Sequence, residues 1–347
     1  MLLIEACNIK IGGGLVLLEY LVKNLKINNV RFKIIINKEI EDVFQEDVYI
    51  FNGSYLKNRN KFIKQCISDC KATKVLYFGN FPPGFRNKNV QSILYIQNAF
   101  CLFDYNKSWH SFKENLGLYL RYLYLKLTIK NADIICFQTE IMKQKFIKKF
   151  KPYQKKIEVL PFFDFEGIKN TAQQILEKHD FIKRQRFIYV SSSSPHKNHK
   201  NLFEAWNILA KRGLFPELLV TLPSNSQYTK VLKDQIQMYK SMGIKINDLG
   251  HMSFEDILLK VAESEFCIFP SLLETIGLGL IEGSLMRNKV LAANMDYLQE
   301  IITPSDTFDP HSAESIANTI ENALNTVLPI TTIKLSNKIN EFVKLLS

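Results

Sequence analysis

Two glutamates flank a glycine-rich turn in the second half of the chain. Glu274 and Glu282 lie eight residues apart, with Gly277 and Gly279 between them, and they follow the apolar run at residues 266–269. Apolar residues then recur at helical spacing, which predicts a helix that begins near Gly277. One carboxylate would suit sugar hydroxyls, and the second would suit a ribose diol. The free N–H groups at the helix start would suit a diphosphate. The alternative interpretation is a surface glutamate and a helix glutamate with unrelated partners.

A second polar loop follows the apolar run at residues 187–190. It contains four consecutive serines at residues 191–194 and then Lys197, just before a predicted amphipathic helix. A helix N-terminus favours anions, and a lysine ammonium adds a full positive charge to it. These features predict a diphosphate site. The alternative is a polar surface loop whose serines and asparagines only cap the helix.

Three glycines, Gly12, Gly13 and Gly14, follow the first predicted strand and precede a helix. Glycines at such a junction let the backbone approach a ligand and leave amide groups for an anion. Their spacing is not the Gly-x-Gly-x-x-Gly dinucleotide fingerprint. A tight turn without a ligand explains them equally well.

The elements that must position these loops are short strands alternating with helices in both halves of the chain. Strands are predicted in the first half at residues 2–5, 32–36, 48–51, 75–78, 92–97, 134–137 and 157–160. In the second half they are predicted at residues 187–190, 218–222, 244–247, 266–269 and 289–292. This alternation predicts an α/β protein with two Rossmann-like, doubly wound domains.

The domain boundaries follow from the break in this alternation near residues 161–167. We expect a first domain at residues 1–163, a second at residues 164–330, and a C-terminal helix within residues 331–347, with packing against the first domain as one arrangement of that helix. In open α/β sheets, ligands bind at the carboxyl ends of the strands, where loops meet helix N-termini. The three loops above occupy that position, so the chemistry is expected in a cleft between two facing domains.

The excess positive charge is confined to the first half of the 347 residues. Residues 1–160 contain 26 Lys and Arg against 13 Asp and Glu, whereas residues 161–347 contain 19 against 21. A nucleic-acid binder needs positive charge wherever the polyanion runs, so this distribution argues against one. It fits a protein whose first part meets an anionic surface or substrate.

The cysteines and histidines predict neither a disulfide framework nor a metal site. Cys66 and Cys70 share a helix face but lack a second ligand pair nearby, and we interpret His196 and His199 as solvated loop histidines. Reduced thiols, a start without the pattern of a signal peptide and apolar runs too short for a membrane span favour a cytoplasmic protein.

An ordered set of motifs across about residues 187–326 is similar to a known family. The second half resembles the nucleotide-sugar-binding domain of the retaining glycosyltransferases of family 4, which have the GT-B fold of two facing Rossmann-like domains. In the first half, only two segments are similar, namely Gly13-Gly14 and the strand end Tyr95-Ile-Gln97-Asn98. The matching motifs of the second half are Tyr189-Val190, Ser-Pro-His-Lys197-Asn198, Asn201-Leu202-Phe-Glu-Ala205-Trp206, Leu249-Gly250-His251-Met-Ser253, Phe269-Pro270-Ser271-Leu272-Leu273-Glu274-Thr-Ile-Gly277-Leu278-Gly279, Glu282, Glu300 and Asp309-Pro310.

The resemblance implies a role for each matching residue. Lys197 would hold the donor diphosphate and Glu274 would contact the transferred sugar, which makes these two the candidate catalytic residues. Glu282 would bind the ribose. The remaining candidates are Ser191, Ser192, Gly277, Leu278 and Gly279 for the donor, and Gly13, Gly14, Gln97 and Asn98 for the acceptor or the cleft.

Two positions depart from the family pattern. Many members carry an arginine beside the lysine, at the place that Ser192 occupies here, so the diphosphate would depend on Lys197 and the helix dipole. A histidine often found at a strand end of the first domain is replaced by Gln97, which can hydrogen-bond a sugar but cannot take a proton. That suits retaining transfer in which the leaving diphosphate helps to remove the acceptor proton, and the resemblance implies neither metal nor cofactor.

These inferences predict a hexosyltransferase that uses a nucleotide diphosphate sugar as its donor substrate. The expected acceptor is a glycan or a polyprenyl-diphosphate-linked glycan, as in the synthesis of bacterial surface polysaccharides such as O-antigen or capsule. Two alternatives stay open: a nucleotide-sugar epimerase or phosphorylase of the same fold, and a non-catalytic basic protein that binds a membrane surface.

Residues 107–156 interleave aromatic side chains with 12 Lys and Arg. Such a segment could lie on an anionic lipid surface, at the inner face of the cytoplasmic membrane, or bind a single-stranded nucleic acid. We expect no nucleic-acid partner, because no base-reading motif accompanies the charge. The structural alternative is a core helix whose lysine and arginine stems reach out to solvent.

Overall fold

The computed structural model describes residues 1–10, 12–44, 47–53, 55–102, 107–109, 111–150, 155–179, 181, 183–223 and 226–347. The described chain divides into two compact units. Unit 1 comprises Met1–Asp164 together with Ser336–Ser347, and unit 2 comprises Phe165–Leu335.

Unit 1 is built on a sheet that contains seven parallel strands within the described residues, in the order β3-β2-β1-β4-β5-β6-β7. The strands are β1 (Leu2–Ala6), β2 (Phe32–Asn37), β3 (Val48–Phe51), β4 (Lys74–Tyr77), β5 (Gln91–Ile96), β6 (Ile134–Phe137) and β7 (Lys156–Val159). The helices are α1 (Gly13–Ile27), α2 (Tyr55–Asp69), α3 (Phe112–Thr128), α4 (Glu140–Lys149) and, from the end of the chain, α12 (Ile339–Leu346). The central strands are mostly apolar because both faces of a parallel sheet are covered by helices, and Glu5 of β1 is a buried exception.

The C-terminal segment adds a helix to unit 1. In α12, Phe342 packs on Tyr95 and Phe162, with ring centroids 5.0 and 5.1 Å apart. The Lys338 N–H donates to the Pro161 carbonyl at 2.7 Å, and the Asn337 amide donates to the Tyr20 hydroxyl at 2.9 Å. Burial of one apolar helix face thus fixes the end of the chain to the first unit.

Unit 2 repeats the design with six parallel strands in its described part, in the order β10-β9-β8-β11-β12-β14. These strands are β8 (Arg184–Tyr189), β9 (Glu217–Val220), β10 (Ile246–Asp248), β11 (Ser264–Phe269), β12 (Lys289–Ala293) and β14 (Asp306–Phe308). The helices are α5 (Phe165–Lys178), α6 (His199–Lys211), α7 (Gln227–Ser241), α8 (Phe254–Glu263), α9 (Leu278–Leu285), α10 (Leu298–Ile301) and α11 (Ala313–Asn325). A short antiparallel pair, β13 (Ile302–Thr303) and β15 (Thr332–Ile333), completes the unit.

A buried ion pair lies beneath the loops at one end of the unit 1 sheet. Arg59 of α2 donates through Nη2 to Glu5 Oε2 of β1 at 2.5 Å and through Nε to Glu5 Oε1 at 3.2 Å, and both side chains are almost completely buried. The same guanidinium donates to the carbonyls of Phe81 and Pro82 at 2.7 and 3.1 Å. Arg59 therefore fixes the loop after β4 to the central strand.

The predicted fold class is confirmed, with two Rossmann-like domains on parallel sheets. Every strand predicted from the apolar runs is present, with ends shifted by a few residues. The C-terminal helix predicted within residues 331–347 begins only at Ile339, because Ile333 pairs with Ile302 as β-structure. The prediction also missed β13, β14 and β15, which are two or three residues long and too short for a periodic pattern.

The thiols of five cysteines are free, namely Cys7, Cys66, Cys70, Cys136 and Cys267, and all but that of Cys70 are buried. Burial raises the pKa of Cys66 and of Cys267 to about 12, so both remain protonated at neutral pH. No helix in the described part of the chain is both long enough and apolar enough to cross a membrane.

Candidate functional site

The candidate donor site lies where the strand order of unit 2 reverses. Strands β8 and β11 are neighbours, and the chain moves outward from β8 to β9 and β10 on one side and from β11 to β12 on the other. The loops after β8 and β11 therefore diverge at the carboxyl edge of the sheet, which leaves a crevice where open α/β sheets bind ligands.

The two loops are joined by an ion pair. Lys197 follows β8 and Glu274 follows β11, and Lys197 Nζ donates to Glu274 Oε1 at 2.5 Å. The Lys197 side chain is 16% exposed and the Glu274 side chain 11%. Lys197 Nζ also lies 5.9 Å from the centroid of the Phe269 ring. Since an ammonium group has three donors, the ion pair leaves capacity for the oxygens of an anion.

Asn198 sets the position of the lysine. It adopts the left-handed conformation (φ 63°) between a short 3₁₀ turn and α6, a conformation that asparagine tolerates better than most residues. Its buried amide donates to the Pro270 carbonyl at 3.1 Å and to the Pro310 carbonyl at 2.7 Å. Asn201 donates to the same Pro310 carbonyl at 3.0 Å. Three segments that are far apart in sequence are thereby held together around Lys197.

Two buried tyrosines hold the backbones of these loops. The Tyr189 hydroxyl, at the end of β8, donates to the Lys197 carbonyl at 3.0 Å. The Tyr297 hydroxyl donates to the Ser271 carbonyl at 2.7 Å. Burial raises the pKa of each phenol well above its ordinary value, so both hydroxyls keep the proton that they donate.

Helix α9 begins at Leu278, with Gly277 as its N-cap residue, close to the start that the sequence predicts. Gly277 has φ 63°, a conformation that disfavours residues with a side chain, and no side chain caps the helix. At Gly279 a Cβ atom would lie 3.2 Å from the Phe269 ring and 3.6 Å from the Val190 carbonyl oxygen. The first turn of α9, with its Leu278 and Gly279 amides, therefore lies directly against the end of β8.

Glu282 lies in the second turn of α9, on the same helix face as Leu278 four residues earlier. The side chain is half-buried, and no hydrogen bond or ion pair of its carboxylate occurs within the described chain. Desolvation raises its pKa to about 7. An acceptor group is thus kept available about one turn from the start of the helix.

The serines of the loop after β8 have separate partners. The Ser191 hydroxyl lies 3.2 Å from His199 Nε2, the Ser192 hydroxyl 3.4 Å from that of Ser194, and the Ser193 hydroxyl 2.5 Å from that of Thr229. The backbone of Ser191 is fixed as well, because its N–H donates to the Thr221 hydroxyl at 2.9 Å. Of these serines, Ser192 is the exposed one.

The interpretation of His199 as a solvated histidine was wrong. His199 is fully buried as the first residue of α6, and its ring packs on Tyr189 and Phe203 at 5.1 and 5.9 Å between centroids. Burial lowers its pKa to about 3, so the imidazole is neutral at physiological pH. Its position at the end of a polar loop suggested an exposed side chain, but the first turn of α6 directs the imidazole towards the core.

The candidates in unit 1 cluster at the carboxyl edge of that sheet. A Cβ atom on Gly14 would lie 3.8 Å from the Gln97 amide group, so the start of α1 adjoins the end of β5. Gln97 Nε2 donates to the Phe78 carbonyl at 3.0 Å. The Asn98 side chain caps the following turn by accepting from the Phe100 N–H at 2.9 Å. Gly13 is the first residue of α1.

Sequence reasoning missed the residues that hold these candidates in place. Asn80, in the left-handed conformation (φ 69°), accepts from the N–H groups of Gln97 and Asn98 at 2.7 and 2.8 Å. In unit 2, Asn198 and Tyr297 hold the loops by donating to backbone carbonyls instead. The available signal was the asparagine at each loop end, since asparagine is enriched at positive φ.

No cluster of three or more metal-ligating side chains occurs among the residues that the structure describes. The sequence profile described as "Glycosyl transferases group 1" matches residues 172–342, which include Lys197, Glu274 and Glu282. None of the curated proteins compared with the chain matches it.

Solved structures match nearly the whole chain. Anabaena HepE in complex with UDP and glucose has a TM-score of 0.64 at 16% identity and is covered to 94%, with 99% of this chain aligned. A glycosyltransferase from Rickettsia africae has a TM-score of 0.65 at 21% identity, and the match covers 99% of this chain and 92% of that protein. The sucrose-phosphate synthase of Thermosynechococcus elongatus has a TM-score of 0.68 at 13% identity, and the match covers 99% of this chain and 94% of the synthase. At these identities the matches establish the fold. Residues 172–342 are therefore similar to the glycosyl transferases group 1, within a chain that shares its fold of two Rossmann-like domains with these solved structures.

Proposed function

We propose that this protein is a retaining glycosyltransferase, similar to family 4, that moves a hexose from a nucleoside diphosphate to an acceptor hydroxyl. The observation that carries the proposal is the Lys197–Glu274 pair, which lies at the strand-order reversal of unit 2, where the Phe269 ring is close to both Lys197 and the uncapped start of α9. Such a crevice supplies positive charge and free N–H groups to a diphosphate and a carboxylate to sugar hydroxyls.

The donor would be bound along α9. In this arrangement Lys197 and the Leu278 and Gly279 amides hold the diphosphate, Glu274 accepts hydrogen bonds from the sugar, and Glu282 accepts them from the ribose diol. Ser191 and the exposed Ser192 line the same loop. The structures of HepE were solved with UDP and with UDP-glucose, which supports a nucleotide-sugar donor for the shared fold.

The transfer step needs charge stabilisation more than a protein base. The bond between sugar C1 and the diphosphate oxygen breaks with its electron pair moving to that oxygen, while the acceptor oxygen bonds to C1. The acceptor proton passes to the leaving diphosphate, since the imidazole of His199 is buried and its pKa of about 3 makes it a poor base. Lys197 and the helix start stabilise the charge that develops on the leaving group.

The acceptor is proposed to be a glycan or a polyprenyl-diphosphate-linked glycan of a bacterial surface polysaccharide. The support is the charge of the first half, with 26 Lys and Arg against 13 Asp and Glu in residues 1–160. A diphosphate-linked acceptor is itself anionic and would be attracted to such a surface. No metal or cofactor takes part in the proposed reaction.

The test is to incubate the full chain with a panel of nucleoside diphosphate hexoses and a polyprenyl-diphosphate-linked glycan. We expect release of nucleoside diphosphate with one class of donor and, by NMR, retention of the anomeric configuration. Absence of release and of thermal stabilisation by any nucleoside diphosphate would contradict the proposal. Conversion of the donor to an isomeric nucleotide sugar without acceptor would instead establish the epimerase alternative.

Glu282 should make nucleotide binding depend on pH. Its pKa is about 7, and the ionised carboxylate accepts hydrogen bonds from the ribose hydroxyls more strongly than the neutral carboxyl group, in which one oxygen carries a proton. We expect the nucleoside diphosphate to bind the wild type about tenfold more tightly than Glu282→Gln above pH 8, with the two affinities converging at about pH 5.5. Calorimetric titration of both proteins measures this ratio, in which the titration of the phosphate itself cancels. A ratio that does not change with pH would contradict the assigned role.

The same substitution should stabilise the fold at high pH. Burial places the folded-state pKa of Glu282 above its unfolded value, so the wild type loses stability as the pH rises from about 4.5 to about 7. Glu282→Gln should therefore be more stable than the wild type at pH 8, by roughly 1–3 kcal/mol, and equal to it near pH 4.5. Urea unfolding at both pH values distinguishes this result from a purely structural defect, which would destabilise the variant at all pH values.

A further inference from the structure

Helix α3 of unit 1 carries an apolar stripe on its exposed face. Five large apolar side chains of this helix are exposed, and Phe112, the most exposed, has 85% of its surface accessible. At about 100° per residue they fall within an arc of about 100°, together with the half-buried Leu123. We call this the α3 stripe; its members are Phe112, Leu116, Tyr119, Leu120, Leu123 and Leu127.

The α3 stripe lies opposite the side of the helix that packs on unit 1. Leu125 and Thr128 are the buried residues of α3, and they lie on the far side of the helix from the stripe. A helix of a globular protein normally packs its apolar side on the core. Helix α3 packs on unit 1 through one side and exposes a second, apolar side, which indicates a surface for a partner. The helix has a full capping box at Ser111 and Glu114, which fixes its start.

Positive charge borders the α3 stripe. Lys113 and Lys126 flank it on either side, and within the described residues neither lysine has an ion-pair partner. Helix α4 adds its basic C-terminal turn, from which Lys149 Nζ lies 5.1 Å from the centroid of the Tyr122 ring of α3. Glu114, the acidic residue of α3, lies on the side away from the stripe.

We propose that the α3 stripe is a membrane-surface anchor, which lies in the interface of an anionic bilayer without spanning it. A helix with exposed aliphatic and aromatic side chains between lysines matches the chemistry of such an interface, where the apolar side chains reach the acyl boundary and the lysines meet lipid phosphates. Tyr119 suits the headgroup level because its ring is apolar and its hydroxyl polar. Charge complementarity favours a lipid surface as the partner, because the α3 stripe lies between two lysines that are unpaired within the described residues and an anionic bilayer presents negative headgroups around an apolar interior.

Vesicle flotation of the full chain without any sugar donor tests the anchor independently of the proposed activity. We expect the wild type to float with vesicles that contain phosphatidylglycerol, and to float much less with phosphatidylcholine alone or at high salt, where the Debye length falls to about 3 Å. Phe112→Ser/Leu120→Ser should weaken vesicle binding by at least about tenfold, and Lys113→Gln/Lys126→Gln by about tenfold. These positions are on the surface, so thermal unfolding of the variants should match the wild type.

A matched control removes apolar surface elsewhere. Val327 and Ile330 of unit 2 are 95% and 78% exposed, and Val327→Ser/Ile330→Ser should leave vesicle binding unchanged. Failure of the wild type to float with anionic vesicles, equal binding to neutral ones, or wild-type binding by Phe112→Ser/Leu120→Ser would overturn the proposal. So would light scattering that shows a dimer, dissociated by the same substitutions, because a second copy would then occupy the α3 stripe.

Discussion

Replacing Lys197 by methionine is expected to reduce the release of nucleoside diphosphate by about 10²–10³-fold at saturating donor. The ammonium lies between the loops after β8 and β11, and the Phe269 ring is close both to it and to the start of α9, where the charge of a leaving diphosphate would develop. Methionine retains the length and apolar stem of the lysine side chain but removes the charge. Since the effect concerns charge that develops in the transition state, it should appear in kcat more than in KM.

Glu274→Gln should lower the same rate by a similar factor, because it removes both the acceptor for the sugar hydroxyls and the ion-pair partner of Lys197. If the two side chains act as one unit, the double variant should lose little more than either single variant. Steady-state assays of the three variants measure this coupling. Fully additive losses would contradict a shared role.

An ion pair at the amino-terminal ends of the unit 2 strands, opposite the candidate site, provides the matched control. Lys289 Nζ and Glu265 Oε1 lie 3.2 Å apart at the starts of β12 and β11, whereas Lys197 and Glu274 lie beyond strand ends. Lys289→Met and Glu265→Gln remove the same chemical groups from the same domain, and both should leave the rate within about twofold of the wild type. A large loss in these controls would show that the domain is simply sensitive to charge removal.

Replacing Arg59 by methionine should destabilise unit 1 by about 3–5 kcal/mol, because it leaves the carboxylate of Glu5 buried without a cation. The same change releases the carbonyls of Phe81 and Pro82, beside the Asn80 that holds Gln97 and Asn98. The second substitution Glu5→Gln removes the uncompensated charge and should restore a large part of the loss. Equal stability of Arg59→Met and the wild type would contradict the assignment.

The unfolding of unit 1 can be followed by itself. Each unit contains one of the 2 tryptophans, Trp109 in unit 1 and Trp206 in unit 2. In a Trp206→Phe background, the fluorescence of Trp109 during urea unfolding reports on unit 1. Arg86→Met is the control, since Arg86 pairs with Asp133 on the surface of the same unit and its loss should cost less than about 1 kcal/mol.

The strands and the start of α9 were predictable because their signals are local. A parallel strand buried on both faces appears as a continuous apolar run, and such runs identified the sheets of both units. The glycine at a strand-to-helix junction similarly located the start of α9, which places Glu274 before the helix and Glu282 inside it. The order of the strands in each sheet depends on how the helices pack on both of its faces. No short segment of the sequence signals that packing.

Burial of polar and charged side chains was much less predictable. His199 stands in a run of serines, lysines and asparagines, yet the helix turns it into the core. Glu5 and Arg59 are 54 residues apart in sequence and meet only because α2 packs on β1. In α3 the 3.6-residue period marks an apolar side correctly, but the period alone does not say whether that side faces the core or the solvent.

By itself, the amino-acid sequence determined the α/β class, the positions of most strands and the carboxylates on either side of the start of α9, because these depend on residue type and on spacing within one element. Only the tertiary structure decided that Lys197 meets Glu274 across 77 residues, that the Asn198 amide ties three segments together, and that Ser336–Ser347 packs into unit 1. These contacts depend on which strands become neighbours, and that choice is made by burial of apolar surface over the whole domain.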